Sequence, residues 1–283
     1  MPTLRSLADL RQQLAGLSRG AATQDAGRVG FGAALLDAQL GGGLERAALH
    51  ELLAGGAADQ PAAVAVALGL AGRAAQGRPL LWVRQDAQGM AMGRPHPPGL
   101  AELGLDPAQL LLVRTADAMA TLRAGADGAR CAALGAVLIE PFGAPRQLDL
   151  TASRRLSLAA QATGVFTLLL RGLPATPGAA TPSAAQTRWL VASRPSRALA
   201  ANAPGPPAAG LRLLRHRRGL GEQEWHVEWD CEQRAFRDAP EISAARPRAA
   251  PLFGAVVAFP ADRPAASGGA GAGGAGAGGA VAA

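Results

Sequence analysis

Lysine and tyrosine are both missing from this 283-residue chain, and all 28 of its basic residues are arginine. The lack of lysine excludes every mechanism that depends on a lysine side chain. Aromatic stacking can contribute little, because the sequence has only six phenylalanines and four tryptophans. The arginines give a formal net charge of +7, which allows a nucleic-acid or acidic-protein partner but carries no information about the fold.

Cysteine is also scarce. The two cysteines, Cys131 and Cys231, lie far apart and outside any C-x-x-C pattern. Such isolated thiols are typical of a reducing cytoplasm and not of a disulfide framework or a zinc site. No apolar segment of the secretory type follows the first charges, and no run of about 18 apolar residues could cross a membrane. We therefore expect a cytoplasmic protein that has no metal site and no membrane contact.

Residues 49–83 have the outline of a phosphate-binding P-loop unit. A short apolar strand leads into a Gly/Ala loop, an Ala/Val/Leu helix follows, and residues 79–83 (PLLWV) predict a second strand. Between the first strand and the helix, the sequence AGGAADQP replaces the pattern G-x-x-x-x-G-K-[ST]. The residues that define this loop are Ala54, Gly55, Gly56, Asp59, Gln60 and Pro61.

The substitutions in this loop remove the groups that hold a nucleotide. In a working P-loop, backbone N–H groups cradle the phosphates, a lysine reaches the β/γ oxygens, and a hydroxyl binds magnesium. Here Asp59 stands at the second glycine, Gln60 at the lysine and Pro61 at the hydroxyl residue. Asp59 would place a negative charge against a polyphosphate, and Pro61 removes a backbone donor. We predict a degenerate P-loop with no cofactor and no ATPase activity, although the helix N-terminus could still attract an anion weakly.

The rest of the pattern predicts an α/β fold. Apolar strands and helices alternate from residue 49 to residue 171, and consecutive strands follow. This order predicts a three-layer domain with a mostly parallel sheet and an antiparallel end. Glu140 follows the strand at residues 136–139, where a Walker-B aspartate would hold magnesium. The alternative is a carboxylate that only points into the crevice at the strand ends.

The composition divides the chain into four parts. Residues 1–17 carry leucines at spacings of three and four, which predicts an amphipathic helix, and residues 18–29 are polar and predict a linker. Residues 30–235 are expected to hold the α/β core. Residues 236–283 predict a flexible tail, which is Gly/Ala-rich low-complexity sequence from residue 267.

Residues 211–230 predict a β-hairpin at the end of the core. The second arm, EWHVEWD, alternates strictly, so its Trp and Val side chains share one face and its charged side chains share the other. The first arm holds the densest group of basic residues, which are Arg212, Arg215, Arg217 and Arg218. These arginines either meet nucleic-acid phosphate or an acidic partner, or they pair with Glu224 and Glu228 across the hairpin.

Several short motifs, in order along the chain, resemble those of a known family. The segment LLDAQLGGGLERAALHELLAG resembles the beginning of the ATPase core of RecA-type recombinases, and it is more similar to the RecA-like mutagenesis proteins of the ImuA family. That family keeps L-D-x-x-L-x-G-G-G-L and G-A-L-H-E and degrades the P-loop. The resemblance continues through VLIEP, RRLSLAAQATGVFTLLLR, TRWLVASRPS and EWHVEWD, and it covers about residues 30–230.

The resemblance implies a RecA-like core and a non-catalytic role in SOS-induced, error-prone translesion DNA synthesis. The implied partners are an inactive Y-family-like polymerase of the ImuB kind, an error-prone C-family DNA polymerase and RecA. In RecA-like enzymes the residue that orients the attacking water follows the second strand, where Gln85 and Asp86 stand here, and a DNA-contacting loop occupies the position of residues 173–187. That segment contains no arginine and no aromatic residue, so any DNA contact is expected to be indirect.

Two other functions stay open at this point. Cell-division inhibitors of the SulA kind are also RecA-like, but they are shorter and lack the long basic C-terminal section. A true RecA-like ATPase is the second alternative, and the lack of lysine argues against it.

Overall fold

A computed structural model describes residues 27–172, 182–196, 199, 203 and 205–239. The predicted N-terminal helix at residues 1–17 and the predicted low-complexity sequence from residue 267 lie outside the described residues. So do residues 173–181, which make up much of the position of the DNA-contacting loop. Within the described part, no helix is long and apolar enough to cross a membrane.

The described residues form eleven strands and six α-helices. The strands are β1 (Arg28–Val29), β2 (Leu44–Glu45), β3 (Leu49–Ala54), β4 (Leu80–Gln85), β5 (Leu110–Thr115), β6 (Ala136–Glu140), β7 (Phe166–Arg171), β8 (Thr187–Arg194), β9 (Ala208–His216), β10 (Gln223–Asp230) and β11 (Ala235–Asp238). The helices are α1 (Ala34–Gln39), α2 (Gln60–Ala75), α3 (Asp86–Met92), α4 (Pro97–Glu102), α5 (Ala118–Ala129) and α6 (Leu150–Thr163).

The strands pair into one large sheet and one small sheet. The small sheet pairs β1 with β2, and the large sheet has the order β11-β10-β9-β8-β3-β7-β6-β4-β5. The six strands from β8 to β5 run parallel, whereas β9, β10 and β11 extend the sheet beyond β8 as antiparallel strands. The predicted α/β class, with a mostly parallel sheet and an antiparallel end, is confirmed.

Helices cover both faces of the parallel part of the sheet. Strands such as β6 and β7 are buried along their whole length, which explains their continuous apolar sequences. On one face α2 packs in the core that contains Leu52, Leu138 and Trp189. On the other face α5 and α6 pack in a second core around Ile139 and Leu169. The three layers therefore follow from strands that are apolar on both sides.

Two glycines let α2 approach its neighbours closely. A Cβ atom on Gly69 would lie 2.8 Å from the ring of Trp229, and one on Gly72 would lie 2.5 Å from Leu105. Glycine inside a helix costs about 1 kcal/mol relative to alanine. The close packing of α2 against Trp229 and Leu105 therefore needs glycine at both positions, although glycine lowers the stability of the helix itself.

The structure differs from the predicted boundaries at three places. Strand β1 lies inside the predicted linker at residues 18–29, and strand β11 extends to Asp238, beyond the predicted end of the core at residue 235. Phe236 of β11 packs edge-on against Trp229 with ring centroids 4.7 Å apart, and this aromatic contact explains why the sheet continues. No helix was predicted directly after β4, and α3 forms there.

Strand β5 forms one edge of the large sheet. Its central side chains are apolar and exposed, with exposed fractions of 50% for Leu111, 40% for Leu112 and 37% for Val113. No strand within the described part of the chain pairs with its outer edge. Native proteins usually protect such an edge with charges, proline or a covering segment.

His50 lies fully buried in the central strand β3. Its Nε2 atom lies 2.8 Å from the carbonyl oxygen of Glu45, and its Nδ1 atom lies 2.7 Å from the hydroxyl of Thr187. Because a carbonyl can only accept, Nε2 carries the proton in the neutral ring and Nδ1 accepts from Thr187. Burial lowers the pKa of His50 to about 4, with a smaller contribution from His216 and an opposing one from the bond to Glu45.

We expect acidification to destabilise the fold through His50. The folded-state pKa of about 4 lies below the ordinary value of 6.5, so the unfolded chain binds a proton that the folded chain excludes. The free energy of unfolding should therefore fall between about pH 6.5 and pH 4, by up to about 3 kcal/mol. Urea unfolding across this range measures the slope, and His50→Gln should remove this contribution. Equal slopes in both proteins would show that another group is responsible.

Candidate functional site

Asp59, within the loop after β3, holds that loop against the end of strand β8. The backbone N–H of Gly55 donates to the carbonyl oxygen of Val191 over 2.7 Å, and residues Ala57–Asp59 form a single 3-10 turn. Asp59 Oδ1 accepts a hydrogen bond of 2.7 Å from the backbone N–H of Ser193 at the end of β8. Asp59 Oδ2 lies only 2.9 Å from where a Cβ atom on Gly55 would stand. The carboxylate therefore lies against the loop glycine, where its charge opposes a phosphate.

The first turn of α2 carries the residues that replace the lysine and the hydroxyl of a P-loop. Gln60 begins the helix, and Pro61 in its first turn has no N–H to offer. Burial raises the pKa of the Glu140 carboxyl group, and the side chain of Gln60 is the weakest of the influences that oppose this rise.

Glu140 forms a buried ion pair with Arg84. Its side chain is fully buried, that of Arg84 is 7% exposed, and Arg84 Nε lies 3.0 Å from Glu140 Oε2. The indole N–H of Trp82 donates to the same oxygen over 2.9 Å, and the Arg84 guanidinium lies 5.3 Å from the centre of the Trp82 ring. Arg84 also donates to the carbonyl oxygen of Gly93 over 2.6 Å. Oε2 of the carboxylate at the Walker-B position is therefore held by protein groups, whereas Oε1 is buried without a hydrogen-bond partner in the described structure.

Burial is the dominant influence on the ionisation of Glu140. It raises the pKa of the carboxyl group, and the charge of Arg84 is the largest opposing influence, followed by hydrogen bonds from Trp82, Gln88 and Gln60. A buried carboxylate that lost Arg84 would gain a proton or pull water into the core. The ion pair is consequently a structural requirement of the crevice.

The residues after β4 also face protein groups. Gln85 Oε1 accepts a hydrogen bond of 2.9 Å from the backbone N–H of Phe142, which ties the ends of β4 and β6 together. Asp86 begins α3 and forms an exposed ion pair with Arg114, with 2.7 Å between Oδ1 and Nε. The structure thus places Asp86 in a surface ion pair, outside the buried crevice around Glu140.

A second buried carboxylate, Glu51, was not singled out from the sequence. It is fully buried in β3, with Arg188 Nε at 2.8 Å and Arg171 Nη1 at 3.4 Å. Ser183 donates its hydroxyl to Glu51 Oε1 over 2.6 Å. Burial lowers the pKa of Arg171, and the charge of Glu51 opposes that change. This group fixes the end of β7 and the start of β8; its only sequence signal is a glutamate within an apolar strand.

The predicted basic patch does not form one free surface. Arg212 pairs with Glu222 at 2.9 Å, and Arg218 pairs with Glu45 at 2.8 Å. Arg215 donates to the carbonyl oxygen of Ser183 over 2.9 Å. Of the four predicted residues, only Arg217 has no side-chain partner within the described part of the chain.

The predicted cross-hairpin pairing with Glu224 and Glu228 is wrong in its partners. Glu224 pairs with Arg194, and Glu228 pairs with Arg237 of β11, a strand that the sequence did not predict. A register shift between β8 and β9 also leaves Leu214 without a Cα partner, which places Arg215 opposite Arg188. In addition, the described residues hold no group of three or more His, Cys, Asp or Glu side chains that could bind a metal.

Comparison with known proteins identifies the family. No family model matches the sequence. Two curated relatives, both named Protein ImuA and both from Caulobacter vibrioides (strains NA1000 / CB15N and ATCC 19089 / CIP 103742 / CB 15), are 34% identical over 200 residues. The match covers 66% of this chain and 71% of each relative. The chain belongs to the ImuA family. The resemblance found in its sequence motifs is thereby confirmed.

A solved structure supports the fold of this ImuA-family chain. The crystal structure of the RadB recombinase superposes with a TM-score of 0.52 at 15% sequence identity, and the match covers 75% of this chain and the whole RadB chain. At that identity the likeness shows the fold alone. The predicted RecA-like core is confirmed, and the site must be interpreted from its own residues.

The buried pair of Arg84 and Glu140 should behave as a unit. Arg84→Met leaves a buried carboxylate without its cation and should lower the free energy of unfolding by about 3–5 kcal/mol. Adding Glu140→Gln, which keeps an acceptor for Trp82, should recover most of that loss. Chemical denaturation of the single and double variants measures the coupling. Arg114→Met, which breaks the exposed pair with Asp86, is the control and should cost about 0–1 kcal/mol. If the changes in the free energy of unfolding caused by Arg84→Met and Glu140→Gln simply add in the double variant, the two residues do not act as a unit.

Proposed function

We propose that this ImuA-family protein is a non-catalytic accessory factor of damage-induced, error-prone translesion DNA synthesis, acting in the cytoplasm. Its partners are an inactive Y-family-like polymerase of the ImuB kind and an error-prone C-family DNA polymerase, with RecA as a further contact. Family membership gives the general role. The closed crevice around Glu140 supports the non-catalytic part.

The observation that carries the proposal is that the P-loop and Walker-B positions hold residues whose chemistry and contacts do not suit a nucleotide and magnesium. Asp59 lies against the loop glycine, Gln60 replaces the lysine, and Arg84 holds Glu140. To bind ATP and magnesium at this place, the chain would have to break the buried ion pair, at a cost of about 3–5 kcal/mol. Such a cost lowers affinity by about 10²- to 10³-fold or more. It comes in addition to the repulsion between Asp59 and phosphate.

Protein contact is supported by the edge strand β5. Its outer edge, with which no strand of the described residues pairs, and its exposed Leu111, Leu112 and Val113 form a surface to which another protein can add a strand. A partner segment would gain main-chain hydrogen bonds and cover apolar area in a single step. A scaffold that works through contacts requires a surface of this kind, and it requires no turnover.

Nucleotide binding is the first test. Titration calorimetry with ATP and magnesium should give no measurable binding at micromolar nucleotide. The variant D59G/Q60K/P61T restores the second glycine, the lysine and the hydroxyl of the pattern but keeps Arg84 bound to Glu140, so it should still hydrolyse no ATP. Micromolar affinity in the natural protein would refute the non-catalytic role. Hydrolysis by the triple variant would show that the rest of an ATP site is intact.

The edge strand is the second test. Leu111→Lys places a charge on the edge of β5 and should abolish damage-induced mutagenesis in a complementation assay, while the melting temperature stays unchanged. Leu158→Lys is the matched control, because Leu158 lies on α6 and is 54% exposed compared with 50% for Leu111. Co-purification with each polymerase partner shows which contact is lost. If Leu111→Lys and Leu158→Lys support equal mutagenesis, β5 is not part of the interface.

A further inference from the structure

An arginine-lined pocket of about 690 Å³ lies beside the C-terminal end of α2. Its lining includes the end of the helix, the turn at Gln76–Arg78 and the turn before β11. Five arginines line it, namely Arg28, Arg46, Arg73, Arg78 and Arg234, and Asp106 is the one acidic residue among the lining groups. The volume falls in the range of small-molecule sites. Because α2 has 16 residues, its length of about 24 Å separates this pocket from the closed loop at the other end of the helix.

The five arginines share a second property. Within the described residues, none of them forms an ion pair with a carboxylate. Their side-chain hydrogen bonds go to backbone carbonyl oxygens. Arg28 binds those of Leu40 and Gly43, Arg46 that of Ala74, Arg73 those of Gly30 and Arg234, and Arg78 that of Ala132, over distances of 2.7 to 3.4 Å. Elsewhere in the fold, by contrast, buried arginines such as Arg84 and Arg171 meet glutamates.

These carbonyl contacts fix four of the five guanidinium groups, those of Arg28, Arg46, Arg73 and Arg78, without neutralising them. Each guanidinium has five N–H donors, and the carbonyl bonds use only one or two of them. Like charges gathered in one pocket also repel each other, and the pKa of Arg46 is lowered by burial and then by the charge of Arg78. The pocket therefore holds oriented donors and an excess of positive charge that the described protein groups do not balance.

Two further features of the lining bear on the ligand. The C-terminal end of α2 carries a partial negative charge, which opposes an anion. Arg46 and the backbone N–H of Arg78 already bind the carbonyl oxygens of Ala74 and Ala75, so two of the exposed helix-end acceptors are satisfied. Trp229 also lines the pocket, and its buried indole N–H has no hydrogen-bond partner in the described structure. The balance of charge and of free donors favours an anion.

We propose that this pocket binds a phosphate group. Several guanidinium groups that line one pocket and keep free N–H donors match the oxygens of phosphate, since arginine recognises that group through paired hydrogen bonds. The inference stands apart from the proposed function, because the pocket shares none of its lining with Asp59, Gln60 or Glu140. The phosphate comes either from a free polyphosphate or nucleotide, or from the backbone of a nucleic-acid strand.

Calorimetry with inorganic pyrophosphate at low ionic strength tests this proposal. The variant R78Q/R234Q changes the two arginines that contribute least to the fold, because Arg78 makes only a 3.4 Å bond and the Arg234 side chain makes none in the described structure. It should weaken binding about tenfold or more. The control R123Q/R154Q removes the same charge from exposed positions on α5 and α6 and should change affinity by less than about twofold. Circular dichroism confirms folding, and R234Q alone provides a second variant should the double variant unfold.

The outcomes separate the possibilities. The proposal would be overturned if the natural chain bound no pyrophosphate. It would also be overturned if R78Q/R234Q and R123Q/R154Q weakened binding equally, because pyrophosphate would then be attracted only by the net charge. Anisotropy of a labelled single-stranded oligothymidylate identifies the source of the phosphate. Loss of oligonucleotide binding in R78Q/R234Q, together with competition by pyrophosphate, assigns the pocket to a nucleic-acid backbone. If R78Q/R234Q loses pyrophosphate binding but binds the oligonucleotide as the natural chain does, the pocket is assigned to a free phosphate compound.

Discussion

The ion pair between Arg84 and Glu140 is the constraint on which the interpretation of this fold depends. A carboxylate that is fully buried must be paired, hydrogen-bonded or protonated, because isolated charge is costly in the protein interior. Arg84 and Trp82 supply those partners for Oε2 within the chain, whereas the buried Oε1 has no hydrogen-bond partner in the described structure. The carboxylate at the Walker-B position thus belongs to an internal ion pair.

The closed crevice leaves the architecture of the nucleotide-binding scaffold intact. Strand β3 still lies between β7 and β8 in the large sheet, and α2 still packs across one face of that sheet. Glu51 on β3 joins Arg171 of β7 to Arg188 of β8, so the central strands are also tied by charge. The scaffold thus keeps its packed core. Three distinct features lie outside that core: an apolar edge at β5, a charged antiparallel extension, and an arginine-lined pocket. These outer features are where contacts with partners can act.

Much of the fold could be predicted from the sequence because burial imposes simple patterns. The continuous apolar run of β6 and the strict alternation in β10 located those strands to within a residue. Helix α3 was missed, because its short sequence DAQGMAM carries no clear apolar face. Strand β11 was missed as well, since its four residues are held by contacts of Phe236 with residues that are distant in sequence.

The candidate site was only partly predictable. The loss of the P-loop lysine and of the hydroxyl residue is visible in the residue types alone, and Glu140 could be located from the end of its strand. The partners of Glu140 could not be located, because the pairing of Arg84 with Glu140 depends on the order of β4 and β6 in the sheet. The same limit applies to the basic residues of the hairpin, whose partners were set by β2, by the hairpin turn and by a register shift next to β8.

The most direct measurement of the central claim is a crystal structure determined in the presence of excess magnesium and a non-hydrolysable ATP analogue. The account predicts that Asp59 still accepts from Ser193, that Arg84 still contacts Glu140, and that no nucleotide lies against Gly55. Phosphate density at the loop glycines, with Asp59 turned outward and Glu140 released towards magnesium, would contradict it.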